Sequence, residues 1–302
     1  MFKAGWYNFI YHDISWEENP YMRGIGGSCP PDLFREHVRT LSQYGDLVSV
    51  QDGFAAWRSN SLDRPTFSFW FDDGFVGVRK YALPVLQEHG VAAATAVCSR
   101  FVSRTELFWR CKLSFLSAHD GLRELRPRLA KFGYSPDVSL KSFTLDNFHL
   151  QVIEQIDEVY RRYTTDQQMA DAFRLFDTCE GIRQLQQHGW LVGNHSAAHY
   201  PVTEITGLPL FAAQYREAET YLSEHLGTKG EFWVAPFGRM NCCAPNLLAE
   251  FLACKSGGQL VLVDNQVNHP RAAEHTVIKR IFMPVKPAAQ IVKMLKRVPY
   301  GN

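Results

Sequence analysis

The chain has 302 residues, of which 46% are hydrophobic and 21% charged, and its formal net charge is +1. That length and apolar content suffice for one large core. Dispersed Lys and Arg exclude the basic stripe of a nucleic-acid binder, and the lack of an apolar run of about 18 residues excludes a membrane-spanning helix.

In chain order, residues 6–11 (Trp-Tyr-Asn-Phe-Ile-Tyr) predict a first strand ending at His12-Asp13. A Gly- and Pro-rich stretch, 20–31, reads as a flexible loop. Its Gly24-Ile25-Gly26-Gly27 has no strand directly before it and is not a dinucleotide fingerprint. Leu33, Phe34, Val38 and Leu41 recur at helical spacing and predict a helix ending near Gly45, followed by a short strand at 47–50. The run 67–71 predicts a buried strand that delivers Asp72 and Asp73 at its end, with Gly74 allowing a sharp turn. A helix over 77–88 stops at Gly90 and a small-residue strand covers 91–97.

From 102 to 187 the strand–helix alternation gives way to a mostly helical insertion, with Ile153, Ile156, Val159 and Tyr160 on one apolar face. Such an insertion serves either as a cap over a barrel mouth or as a surface for a homo-oligomer. Strands resume at 190–193, 231–234, 259–263 and 277–282, with helices at 210–225, 245–254 and 288–297. Strand–helix alternation outside the insertion predicts an α/β fold with a parallel sheet or closed barrel, read as one domain over 1–302.

The seven cysteines are irregularly spaced and form no CxxC, which argues for reduced thiols rather than a zinc knuckle or disulfide framework. The N-terminus shows neither the apolar segment nor the cleavage site of a secretory signal, so a cytoplasmic location is expected. Cys242 and Cys243 follow the 231–238 segment closely enough to line a pocket there.

Two stretches carry chemistry. Asp72-Asp73 places paired carboxylates at the C-terminal end of a strand, the face where α/β barrels gather their active sites. Gly193-Asn194-His195-Ser196-Ala197-Ala198-His199 offers two histidines at i and i+4, which share one face if the segment is a helical turn. Ser196 stands where a HExxH protease has its Glu, so that mechanism lacks its base. A catalytic metal needs three protein ligands and an open position. His195, His199 and one aspartate meet that need, leaving the second aspartate to take a proton from a water acidified by the metal. An Asp-His-His set suits zinc, and iron, cobalt or nickel would also accept it.

Phe71-Asp72-Asp73-Gly74 resembles the first motif of the polysaccharide deacetylase superfamily, carbohydrate esterase family 4 with its NodB-homology domain. The 193–199 segment is similar to the second motif, and Ala235-Pro236-Phe237-Gly238 to the third. The resemblance, which holds outside the helical insertion, implies a distorted (β/α)7-type barrel and metal-dependent hydrolysis of an N-acyl amide, usually on a sugar; with the insertion at 102–187 the expected fold is that barrel with an inserted helical cap. By motif position Asp72 is the base, and Asp73, His195 and His199 are the metal ligands. The Phe237 N–H, beside Pro236, holds the oxyanion.

The chain departs from the pattern in two places. Val234 stands where many members carry an Arg that orients the base, and the last strand lacks the usual late Leu-x-His acid. The Tyr11-His12 segment is similar to one that opens a circularly permuted branch, which points to His12 as the acid, with His269 and His275 as rivals. The expected substrate is a soluble or lipid-linked N-acyl amino sugar. The alternatives are deformylation or hydrolysis of a non-sugar amide or ureide, and a non-catalytic carbohydrate-binding barrel.

Overall fold

The computed structural model describes residues 1–16, 19–134, 150–201, 207–228, 232–238, 247–254, 258–272 and 274–301. Six parallel strands stand side by side: β1 (Gly5–Tyr11), β2 (Pro65–Asp73), β3 (Ala94–Val97), β4 (Leu191–Asn194), β5 (Phe232–Val234) and β6 (Gln259–Leu262). The expected strand at 277–282 is interrupted at Arg280. Its first half, β7 (Val277–Lys279), pairs with β6, and its second half, β8 (Ile281–Phe282), pairs with β1. That broken strand closes the sheet into the distorted (β/α)7-type barrel. Val267–Asn268 adds an antiparallel pairing to β1, at Trp6.

Period-two alternation explains both layers of the core. Trp6 on β1 and Trp70 on β2 pack inside the barrel with Ala94, Ala96, Val234, Val261 and Ile278. Phe67, Phe69 and Phe71 belong to the outer layer with Phe34, Val38 and Leu86 of the flanking helices. The small side chains of Ala94 and Ala96 leave room for the two indoles. Each indole N–H is satisfied, Trp6 donating to Ser68 Oγ at 2.9 Å and Trp70 to Asn8 Oδ1 at 2.8 Å. Asp72 continues the inward series of Ser68 and Trp70.

Several local expectations need correction. The predicted strand at 47–50 is a two-residue strand, Asp46–Leu47, paired with β2, and a helix, Val50–Arg58, begins where the longer strand was to end. The β-branched valines suggested extension, but Ser49 accepts the Asp52 N–H at 3.0 Å and caps the helix. Gly53 lets this helix approach the barrel: a Cβ there would lie 2.3 Å from Trp6 Nε1. The helix expected over 77–88 begins as a π turn, Val78–Ala82, before Leu83–Glu88. The loop after β1 is organised, with Asp13–Ile14 pairing with Ser28–Cys29 and turns between.

Between β3 and β4 the described residues form Ser99–Val102, Trp109–Ala118, Leu122–Ala130, Leu150–Tyr163, Asp166–Phe173 and Cys179–Gln187. The helix Leu150–Tyr163 buries Val152, Ile153, Ile156, Val159 and Tyr160, which include the expected apolar face. No described helix is long and apolar enough to cross a membrane.

Candidate active site

Strand register brings the polar groups to one level. Tyr11 pairs with Phe71, so His12 follows β1 beside Asp72. Asp73 pairs with Val97, and Val97 with Asn194, so Cys98 and His195 emerge together at the same C-terminal rim. Asp72, Asp73, His195, His199, His12 and Phe237 all line one pocket of about 470 Å³.

The backbone bends sharply to present them. β2 continues through both aspartates, and Asp73 itself adopts φ +72°, one residue before Gly74 at φ +83°. The anticipated helical turn at 195–199 is instead a loop with Ser196 at φ +68° and His199 at φ +56°. Asn194 Oδ1 accepts the Ser196 N–H at 2.8 Å, and Gln214 Oε1 accepts the Ala198 N–H at 2.8 Å. Side-chain acceptors thus replace the helical ladder and hold the two histidines in place.

Asp73 Oδ1 lies 3.4 Å from His195 Nε2 and 3.4 Å from His199 Nε2, while Asp72 Oδ2 lies 3.7 Å from His195 Nε2. The His195 Nδ1–H donates to the Val234 carbonyl at 2.7 Å, which leaves Nε2 as the free nitrogen. Buried Asp73 Oδ1 and His195 Nε2 have no hydrogen-bond partner among the described residues. Unpartnered buried acceptors facing one another are costly unless a cation lies between them. The donor set therefore fits a divalent metal. Asp73, Cys98 Sγ and His195 also offer ligand atoms that all lie within 4.8 Å of one another, a grouping that does not include His199. Burial pushes the Cys98 thiol well up, and it donates to the His195 carbonyl at 3.2 Å.

The electrostatics separate the two carboxylates. Burial opposes ionisation of Asp72, but the Arg280 guanidinium and the His195 ring outweigh it and hold the carboxyl below its usual range. Burial likewise opposes Asp73, which His199 and His195 hold down. Burial also lowers His199, to about 3, against the pull of Asp73. His195 is raised despite its burial, because Asp72 and Asp73 favour its charged form. Burial lowers His12, with Asp73 and Asp72 opposing.

Arg280 is the residue that sequence reasoning missed. It is fully buried at the break between β7 and β8 and donates from both terminal nitrogens to Asp72, at 2.7 and 2.9 Å. Its guanidinium also stands 5.5 Å from the Trp70 ring centroid. The bidentate grip fixes the Asp72 carboxylate from the last strand, whereas Val234 contributes only its carbonyl to His195. A lone Arg inside Val277-Ile278-Lys279-Arg280-Ile281-Phe282 was the available signal, since a buried charge needs a partner.

The three candidate acids separate by position. His12 lines the pocket. His269 packs on Tyr300, and its carbonyl accepts from Trp57, while His275 packs on the Trp57 ring, and neither lines the pocket. Ala235, Phe237 and Gly238 line the pocket, and Pro236 does not contribute to its wall. Phe237 has φ +54°, and its amide makes no hydrogen bond to a described residue. Cys242 and Cys243 lie outside the described residues.

A family model described as polysaccharide deacetylase matches residues 59–251. The chain belongs to the polysaccharide deacetylase family. This membership supports a carbohydrate deacetylase, a hydrolase acting on amide bonds. Among solved structures, the chain is similar to a Streptococcus pyogenes deacetylase, PplD, in complex with acetate, at 14% identity and a TM-score of 0.62, covering 97% of this chain and 99% of that one. IcaB from Ammonifex degensii is similar at 15% identity and a TM-score of 0.60, covering 97% of both chains. A de-N-acetylase from Aggregatibacter actinomycetemcomitans gives 14% identity and a TM-score of 0.57, covering 97% and 98%. At these identities the likeness is one of fold. No curated protein sequence matches the chain.

Proposed function

We propose that the pocket removes an acyl group from the nitrogen of an amino sugar, with Asp73, His195 and His199 holding a divalent metal. Zinc suits the donor set best, and iron, cobalt and nickel remain compatible. When bound, the ion supplies Lewis-acid polarisation and a water that ionises near neutral pH. Asp72, kept ionised and oriented by Arg280, takes the proton of the attacking water. The Phe237 N–H, which has no partner among the described residues, donates to the oxygen that gains charge as the carbonyl is attacked. His12 protonates the nitrogen that leaves as the amine.

The observation that carries this reading is the convergence of unpartnered Asp73 Oδ1 and His195 Nε2 beside an aspartate gripped by a buried arginine. One carboxylate faces two ring nitrogens and the other is held by a guanidinium, so the two have different tasks. A cytoplasmic location belongs to the same reading, and free thiols at Cys29, Cys98 and Cys111 support it, because they suit a reducing compartment. The helices between β3 and β4 act as a cap, because Phe108 and Arg110 from that region form part of the pocket wall.

Asp72→Asn tests the assignment and separates it from a binding barrel. The variant is expected to retain bound zinc while kcat for acetate release falls by about 10² or more, as for loss of a general base. Unchanged turnover would remove Asp72 from the mechanism.

A further inference from the structure

Arg110 is not used by the mechanism above. It occupies the first turn of the helix Trp109–Ala118 and lines the pocket with Asp73, His199 and Phe237. Its guanidinium lies 5.5 Å from the Phe237 ring centroid, and that ring is 4.5 Å from the His199 ring. A single aromatic ring therefore separates this cation from a metal-ligand histidine. The Arg110 side chain makes no hydrogen bond or ion pair with a described residue.

The pocket holds no spare counter-charge for it among the described residues. Asp72 and Asp73 are the carboxylates in the wall. Asp72 is occupied on both oxygens by Arg280. Asp73 attracts Arg110 only at a distance, and its charge would be taken up by a divalent cation held with His195 and His199. Burial works against the Arg110 charge, yet a guanidinium stays protonated in proteins. The helix start adds potential of the same sign: its first turn carries no acidic residue, and no side chain caps it.

A fork of N–H donors stacked on an aromatic face and left without a partner is built to receive a planar or tetrahedral oxyanion. We infer that Arg110 determines specificity by binding an oxyanion substituent, carboxylate or phosphate, on the N-acyl sugar. The inference rests on the pocket being the substrate site proposed above. A neutral sugar would leave the guanidinium partly desolvated and unpaired, so the site discriminates against it.

Calorimetric titration of the zinc-loaded protein with N-acetylglucosamine, N-acetylmuramic acid and N-acetylglucosamine 1-phosphate tests this without relying on turnover. At least one anionic probe is expected to bind about tenfold or more tighter than the neutral sugar, consistent with a charge-assisted pair. Preference for the carboxylate or for the phosphate probe identifies which oxyanion the site takes. Arg110→Gln should abolish the preference by weakening the anionic probe without weakening the neutral one, and Arg110→Lys should keep part of it. Equal binding of all three probes, or a uniform loss for all three in Arg110→Gln, would overturn the inference and assign Arg110 to packing on Phe237. An anion preference in a protein that releases no acetate from any probe would support the oxyanion site and overturn the hydrolase reading.

Discussion

Replacement of Arg280 probes the link between the barrel closure and Asp72, the proposed base. The residue is fully buried, gives Asp72 two charge-assisted bonds at 2.7 and 2.9 Å, and donates its own backbone N–H to Leu262 at 2.8 Å. Arg280→Gln strands Asp72 as a buried carboxylate facing two histidines. Breaking such a pair costs about 3–5 kcal/mol, a large part of the roughly 5–15 kcal/mol that holds a domain folded. Arg280→Gln should therefore lower the urea midpoint sharply, and adding Asp72→Asn should restore much of it by removing the stranded charge. Arg280→Lys keeps a positive charge without the fork, so Asp72 loses part of what holds it below its usual range. A base works only when unprotonated, so the acid limb of kcat/KM should move to higher pH in Arg280→Lys. The plateau should fall about tenfold, in keeping with misoriented general-base catalysis. The assay is acetate release from N-acetylated chito-oligosaccharides across pH, with zinc supplied. An unmoved acid limb, or an Arg280→Gln protein as stable as wild type, would refute the reasoning.

Two further outcomes follow from the histidines. His12→Gln should lower kcat by about 10² or more for sugar amides, and far less for an anilide whose leaving group needs less protonation. The alkaline limb of the wild-type profile, set below the ordinary histidine range by burial of His12, should disappear with it; equal losses on both substrates would exclude proton delivery. His199 has a folded-state value of about 3 against an ordinary 6.5, so an unfolded chain takes up a proton that the folded one refuses. Its stabilising contribution is complete above pH 6.5 and is lost as pH falls toward 3. The urea midpoint of metal-stripped protein should fall through that window and flatten in His199→Gln; the same slope in both proteins would contradict the shift.

The residues that meet in the candidate site were legible because they sit in contiguous segments. Asp72-Asp73 and His195 to His199 are local signals, and the barrel register alone then brings His12 beside them. The geometry within those segments was not legible. The i, i+4 spacing suggested a helical turn, but an Asn194 side-chain acceptor and two left-handed residues replaced it. Arg280 escaped because its partner is 208 positions away, and because a strand read as continuous is broken there. The helix Val50–Arg58 was hidden behind β-branched residues whose extended preference a single Ser49 cap overrides. Long-range pairing and capping decide such details, and neither has a periodic signature.

The most direct test of the account is metal content measured together with acetate release, on wild type and on His195→Ala. Elemental mass spectrometry of protein purified without added metal and of protein reconstituted with zinc gives the first quantity. The account predicts about one ion per chain in wild type, as for a single three-ligand catalytic site, and loss of both the ion and acetate release in His195→Ala. No metal in wild type after reconstitution, or a His195→Ala protein that still releases acetate at the wild-type rate, would contradict it.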